Sequence, residues 1–407
     1  MRGPVRIGLI GCGFSAGLHI EGYKKLPPEQ CQIVAVCGVP KEMAERFAHE
    51  HGIPAAFGSK EEMLDKVEVD AVDLAVPNYL HAPFIIEAAR AGKHVFCEKP
   101  LTGYFGGPGT KDEDLIGLNV PKRVMLEEAK ARVDEVMDAV RASGIKFGYA
   151  ENWVYAPAYV KLWRLAKTAG GTILRIEAEE SHSGSHAEYA KKWRLSGGGS
   201  LMVKGSHPLG AALQLKWWEG EHKFGKPIRA ASVMCEVGHL TWIDAFKQEK
   251  THYLRTGWQD VEDWGIIVIT FEDGSVAEVK AADTTLGGVH NYCEAYLSNA
   301  RLRANINPTD SCVAYAPETS IFGDEYIVEK IETKGGWTYP SPDEDWHQGY
   351  PQEVADFVAA IREDRQPISG AALAREVTLV LYAAYVSAVE GRRVDMSQLL
   401  GTNTRAS

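Results

Sequence analysis

The chain has 407 residues, 45% of them hydrophobic and 24% charged, which is ordinary for a globular protein and long enough for two separate cores. A formal charge of −11 argues against a general binder of nucleic acid or of anionic membranes, since both need basic surface. No apolar run approaches the ~20 residues of a bilayer span, the N-terminus lacks a small-residue cleavage site, and the seven cysteines are scattered without a CxxC pair. The expectation is a cytoplasmic chain with reduced thiols, no nucleic-acid partner and no membrane partner.

Val5 to Ile10 is a short apolar strand ending in Gly11-Cys12-Gly13-Phe14-Ser15-Ala16, and a helix pattern follows. This is the strand–turn–helix setting of a dinucleotide fingerprint. Gly11 allows the tight turn, Gly13 lets a pyrophosphate approach the backbone, and Ala16 packs the helix on the sheet with the phosphates at its N-terminus. The second strand, Gln32 to Cys37, ends at Gly38, where NAD-preferring folds place an acidic residue for the ribose hydroxyls. No carboxylate there repels a 2′-phosphate, and Lys41 and Arg46 are either cofactor-facing or solvated, so NAD and NADP both stay open. Next come helices at Lys41 to His51 and Lys60 to Lys66, a strand at Ala71 to Val76, and the loop Pro77-Asn78-Tyr79-Leu80-His81. A helix at Ala82 to Ala91 follows, with Gly92 as its left-handed cap. The strand His94 to Cys97 then delivers Glu98, Lys99 and Pro100 at its carboxyl end, the side of an open α/β sheet on which ligands bind. Strand–helix alternation with short connections predicts a doubly wound parallel sheet.

Gly11 to His19 read as GCGxxAxxH, the Pro77-Asn78…His81 loop, and AGKHVFCEKP, in this order and spacing, resemble the glucose–fructose oxidoreductase / inositol dehydrogenase (Gfo/Idh/MocA) family. The resemblance implies an N-terminal Rossmann domain, residues 1–150, and a C-terminal α/β domain with a large, mainly antiparallel open sheet, residues 151–400. The last helices are expected to pack back toward the first domain. It implies NAD(P)-dependent hydride transfer at a secondary hydroxyl or ketone carbon of a sugar, glycoside or cyclitol. It also implies a homo-oligomer, dimer or tetramer, built through the C-terminal sheet. Cofactor contacts are implied at Gly11, Cys12, Gly13, Phe14, Ser15 and Ala16, and at Gly38, Pro77, Asn78, His81, Glu98, Lys99 and Asn152. From Thr102 the chain departs from the family's pattern, because TGYFGGPGTKDEDLIGLNVPKR (residues 102–123) intervenes before the helical pattern around Leu126. A Gly/Pro-rich loop of that length beside Lys99 is either an active-site lid or a surface excursion or subunit contact.

The strand Ile145 to Tyr149 leads into Glu151-Asn152-Trp153, with Asn152 resembling a family asparagine and Val154 standing where arginine is common. A helix at Tyr159 to Lys167 and a strand at Thr172 to Glu179 open into Ser181-His182-Ser183-Gly184-Ser185-His186. Two histidines four apart suit a metal on a helix, but this stretch reads as loop. No metal is expected, and His182 is a candidate for hydrogen bonding to a sugar. Trp193-Arg194 and Gly197-Gly198-Gly199 precede Val203-Lys204-Gly205-Ser206-His207, where family dehydrogenases carry Asp-x-Gly-x-His. The resemblance makes Lys99 and His207 the catalytic pair, with His207 as base on the reacting hydroxyl. Lys99, Trp153, His182, Trp193, Arg194, Lys204 and His207 are candidate substrate contacts. Val203 replaces the aspartate, and the Lys204 ammonium is expected to favour the neutral, proton-accepting imidazole.

The run His207-Pro208-Leu209-Gly210-Ala211-Ala212 also resembles a stretch of the superfamily's NAD-dependent glycosidases, which act by transient oxidation, elimination and reduction. A non-catalytic sugar- or nucleotide-sensing protein on the same fold is the third alternative. Strands at Ile228 to Val237, Trp264 to Phe271, Ser275 to Ala281, Val289 to Ser298 and Arg301 to Ile306, with an Asp273-Gly274 hairpin turn, make the expected second sheet. Asp345 to Tyr350 reads as a loop, followed by helices at Gln352 to Arg362 and Ala371 to Glu390 and a disordered tail from Gly401.

Overall fold

The computed structural model describes residues 3–307 and 312–401, and the chain in it divides into two compact units. The first comprises Met1–Gly103, Ala129–Tyr155 and Gly349–Thr378. The second comprises Tyr104–Glu128, Ala156–Gln348 and Leu379–Ser407.

In the first unit, β1 (Val5–Ile10), α1 (Phe14–Lys24), β2 (Cys31–Cys37), α2 (Lys41–His51), β3 (Ala56–Phe57), α3 (Lys60–Lys66), β4 (Ala71–Leu74), α4 (His81–Arg90) and β5 (His94–Glu98) follow in turn. After α5 (Ile116–Asn119) and α6 (Lys122–Ser143), β6 (Phe147–Ala150) completes a six-stranded sheet of order β3-β2-β1-β4-β5-β6, every pair parallel. The order reverses between β1 and β4, the doubly wound arrangement that the alternation predicts. Buried on both faces, the central strands read as continuous apolar runs. In β5, Val95 and Cys97 join a cluster with Ile85 and Ala89 of α4 and Val133 and Val136 of α6. Phe96 points the other way, into a cluster with Val354, Phe357 and Val358 of a later helix. The period of two therefore puts Glu98 on the Phe96 face.

The chain continues through α7 (Pro157–Ala169), β7 (Ile173–Ser181), α8 (Trp193–Ser196), α9 (Ser200–Val203), α10 (Ser206–Phe224), β8 (Ala230–Gly238), α11 (Asp244–Lys247), β9 (Trp264–Phe271), β10 (Val276–Ala282), β11 (His290–Leu297) and β12 (Arg301–Asn307). The short pair β13 (Ala314–Ala316) and β14 (Gly336–Thr338) precedes α12 (Glu344–Gln348), α13 (Tyr350–Arg362), α14 (Ala371–Glu390), β15 (Val394–Asp395) and α15 (Ser397–Leu400). The second sheet has the order β12-β11-β7-β10-β9-β8-β15, antiparallel throughout except for the β7–β10 pair. Along β9, Ile267, Ile269 and Phe271 are buried while Ile266, Val268 and Thr270 are half-buried, the alternation of a sheet with one face packed.

Three expectations change. Asp345 to Tyr350 is not all loop: Glu344–Gln348 is helical, started by the Asp343 carboxylate accepting the Trp346 N–H at 2.9 Å. The 102–123 stretch is not structureless either, because it holds α5 and the start of α6, and Tyr104–Glu128 belongs to the second unit. And α14 is long and apolar enough by length and composition to cross a bilayer, yet 78% of that window is buried inside the protein, as in a core helix. Of the tail expected to be disordered, residues 402–407 lie outside the described residues.

Candidate active site

The glycine turn has the geometry its residues demand. Gly11 sits at φ +112°, and a Cβ there would lie 2.0 Å from the Ala75 carbonyl oxygen, so only glycine fits. Its N–H donates to the Cys37 carbonyl at 2.8 Å. Nothing lies within 4 Å of where a Gly13 Cβ would stand, leaving the backbone open at the N-terminus of the eleven-residue α1. Ala16 is buried, Cys12 and Ser15 are partly exposed, and Phe14 is exposed. This donor set fits a dinucleotide pyrophosphate, which takes backbone N–H groups at a helix N-terminus. At the end of β2, a Cβ on Gly38 would lie 2.2 Å from Cys12 Sγ, so the thiol fills the space where a ribose-binding carboxylate would begin. Lys41 pairs with Glu45 of its own helix at 3.2 Å.

At the same sheet edge, Asn78 begins a single 3-10 turn, Asn78–Leu80, and is buried. His81 is fully buried, with Nδ1 2.6 Å from the Pro100 carbonyl and Nε2 2.9 Å from the Val76 carbonyl. Burial pushes its imidazole down, and both ring nitrogens face backbone. The His81 side chain, named as a cofactor contact, fastens the Pro77 loop to the strand end. Lys99 is half-buried, and its N–H donates to Glu98 Oε2 at 3.0 Å. The β5–β6 register pairs Glu98 with Ala150, so Glu151 and Asn152 follow directly past the edge. Trp153, named as a substrate contact, is 1% exposed and packs inside this unit.

Sequence reasoning left His19 without a role. It is fully buried on α1, with Nδ1 3.0 Å from both Asp73 oxygens and Nε2 3.4 Å from Glu98 Oε1. Burial opposes its charge, but Asp73 and Glu98 outweigh it and hold the imidazole well above its usual range. A histidine inside a helical stripe gives no sign of this in sequence, because its partners come from two other elements.

In the second unit, the segment from Trp193 to His207 is tightly held. Trp193 is 2% exposed, packs against Tyr385 with the rings tilted by 58° and centroids 4.7 Å apart, and carries the Lys122 ammonium 4.0 Å from its ring centroid. Burial pushes that ammonium down to about 8 despite nearby Glu262 and Asp260. Arg194 donates to the Thr110 carbonyl at 2.6 Å and pairs with Asp112 at 3.1 Å. Both side chains named as substrate contacts therefore fasten the inserted segment. Asp260 accepts the N–H groups of Gly117 and Trp193, each at 2.8 Å. The Gly197–Gly199 turn is closed by Tyr382, which donates to the Gly197 carbonyl at 2.8 Å, and by Glu262, which accepts from Gly199 N–H (3.1 Å), Leu201 N–H (3.0 Å) and Tyr385 (2.7 Å). Burial pushes the Glu262 carboxyl up to about 7.

Lys204 is 2% exposed and pairs with Asp283, just beyond β10; Ser200 Oγ donates to the same carboxylate, and Ser185 N–H donates at 3.0 Å. The expectation that a bare ammonium stands beside His207 is thus corrected: Asp283 matches that charge locally. His207, 6% exposed, opens α10 and donates its N–H to the Lys204 carbonyl at 3.0 Å. His182 is buried at the end of β7, where its N–H donates to the Ala282 carbonyl at 3.1 Å, so it shares the β10 end with Asp283. The structure brings Lys204, Asp283, Ser200 and the His182 loop together, with His207 one turn on. Among the described residues, no group of three or more His, Cys, Asp or Glu is arranged to hold a metal ion.

Comparison with known proteins matches residues 5–105 to the NAD-binding Rossmann-fold domain of an oxidoreductase family and residues 168–396 to the C-terminal alpha/beta domain of the same family. The chain is 24% identical to levoglucosan dehydrogenase of Pseudarthrobacter phenanthrenivorans, covering 97% of this chain and 99% of that protein. It is 22% identical to myo-inositol 2-dehydrogenase of Thermotoga maritima, covering 98% and 100%. The crystal structure of GenD2 from gentamicin A biosynthesis in complex with NAD superposes with a TM-score of 0.77 at 22% identity, covering 97% of each chain.

Proposed function

Because the chain belongs to the Gfo/Idh/MocA oxidoreductase family and carries its NAD-binding Rossmann domain, we propose that it is a dehydrogenase of a secondary hydroxyl on a sugar or cyclitol. The observation that carries the reading is Lys99, a half-buried lysine fixed through its own N–H at the carboxyl end of β5, on the sheet edge that holds the glycine turn. Full-length relatives that act on levoglucosan and on myo-inositol, both polyols, support the substrate class.

Gly11, Gly13 and the first amides of α1 would hold the pyrophosphate. A bound nicotinamide would supply the hydride acceptor. Lys99 hydrogen-bonds the reacting oxygen and stabilises it as the carbon is oxidised. His207 is assigned the general-base role on the hydroxyl proton. Gly38 offers neither a carboxylate for the ribose nor repulsion of a 2′-phosphate, so both NAD and NADP belong in the assay.

Lys99→Ala tests the assignment. Turnover of levoglucosan, myo-inositol or a wider polyol panel should fall by about a thousandfold while NADH binding stays within about twofold. Full activity in that variant sinks the role of Lys99. Net appearance of reduced nicotinamide is the expected outcome with the unaltered protein. Product formed without it would point to transient oxidation and bond cleavage instead.

A further inference from the structure

The first unit contains a buried set of charged groups that the chemistry above does not use. His19 comes from α1, Asp73 from β4, Glu98 from β5 and Glu353 from α13, and each is at most 9% exposed. Sheet alternation explains their meeting: Asp73 pairs with Phe96 across β4–β5, so Asp73, Phe96 and Glu98 share one face, and the His19 ring lies 5.1 Å from that of Phe96.

We propose that His19 is a positioning residue for Lys99, acting through an Asp73–His19–Glu98 relay. Asp73 accepts from His19 Nδ1 at 3.0 Å and from the Tyr23 hydroxyl at 3.0 Å, which fixes the ring plane. That directs Nε2 at Glu98 Oε1, 3.4 Å away, a charge contact more than a hydrogen bond. The other oxygen of Glu98 accepts the Lys99 N–H at 3.0 Å, so the last group in the relay holds the backbone of Lys99 itself. An imidazole facing two carboxylates with its two nitrogens needs both protons to serve them. The surroundings supply the reason to keep both, because Asp73 and Glu98 outweigh the cost of burying the charge.

Glu353 completes the arrangement. Its Oε1 lies 4.0 Å from His19 Nε2, and neither oxygen has a hydrogen-bond partner among the described residues. Burial pushes its carboxyl well up.

The inference rests on the functional reading only for the importance of Lys99, and its test does not need a substrate. In His19→Gln, the rate at which acetic anhydride acetylates Lys99, read by peptide mass, should rise about threefold or more, because the strand end is no longer held. Lys146, which pairs with Asp364 at 2.7 Å in the same unit, should be labelled at the unaltered rate. An unchanged Lys99 rate, or an equal rise at Lys146, overturns the relay. Glu98→Gln, at the edge of the sheet, is the second variant, with the same expected rise, should His19→Gln not fold. With a polyol that is turned over, His19→Gln should lower kcat about tenfold or more with the KM for NAD within about twofold, and should have no further effect on the Lys99→Ala background. Full activity of Lys99→Ala alone defeats the functional reading and leaves the labelling result standing.

Discussion

At the scale of single residues, the Lys204–Asp283 pair shows how a motif survives the loss of its acidic member. Val203 stands where the family's aspartate is expected, and the structure restores a carboxylate to the segment from the end of β10, eighty residues further on. Both side chains are almost fully enclosed, so breaking the pair from one side leaves a charge without its counterion. Lys204→Met should destabilise the protein by about 3–5 kcal/mol, read as a drop in the urea midpoint. A loss below about 1 kcal/mol would show that the pair is not buried in solution. The candidates that sequence offered, Gly11, Gly13, Lys99 and His207, are those whose proposed role follows from neighbours in the chain. Asp283, His19 and Glu262 were hidden for the opposite reason: each acts on a segment to which it is joined only by folding. The partners of Trp193 and Arg194 in the inserted segment were hidden too, because a tryptophan and an arginine beside a glycine turn look the same in sequence whether they face a ligand or a strap.

At the scale of elements, the four-residue helix α9 is too short to hold itself and depends on Glu262. The N–H groups of Leu201 and of Gly199, just before the helix, end on a carboxylate that burial pushes from 4.5 to about 7. The sign follows from the proton: the folded state binds it more tightly than the unfolded state does. The contribution is therefore complete below about 4.5 and is lost as pH rises through about 7, at up to about 1.4 kcal/mol per pH unit between them. Glu262→Gln should flatten the slope of stability against pH across that window, measured as urea midpoints; a parallel slope in the two proteins would contradict the assignment. Most element positions were legible from hydrophobic period and glycine caps, β9 and α14 to the residue. The helices α12 and α5 were not, because short turns stabilised by Asp343 or Asp260 leave no periodic pattern.

At the scale of the whole molecule, both sheets follow the expected classes, but the division of the chain between units is finer than two consecutive halves. The chain passes from one unit to the other at 103/104, 128/129, 155/156, 348/349 and 378/379, five times in all. A fragment ending at Tyr155 contains all six parallel strands and lacks α13, whose Val354, Phe357 and Val358 cover one face of them. Each such side chain contributes about 1.5–3 kcal/mol on burial, against a total stability of about 5–15 kcal/mol for a typical domain. The fragment should show no cooperative thermal transition by circular dichroism; a sharp one would mean that the strands and their remaining helices suffice. The same five passages limit recombination with a relative. A chimera joined once near residue 150 would inherit the 104–128 strap from one parent and the Trp193, Asp260 and Tyr382 that receive it from the other, so the joint that looks simplest on paper separates partners that must be inherited together.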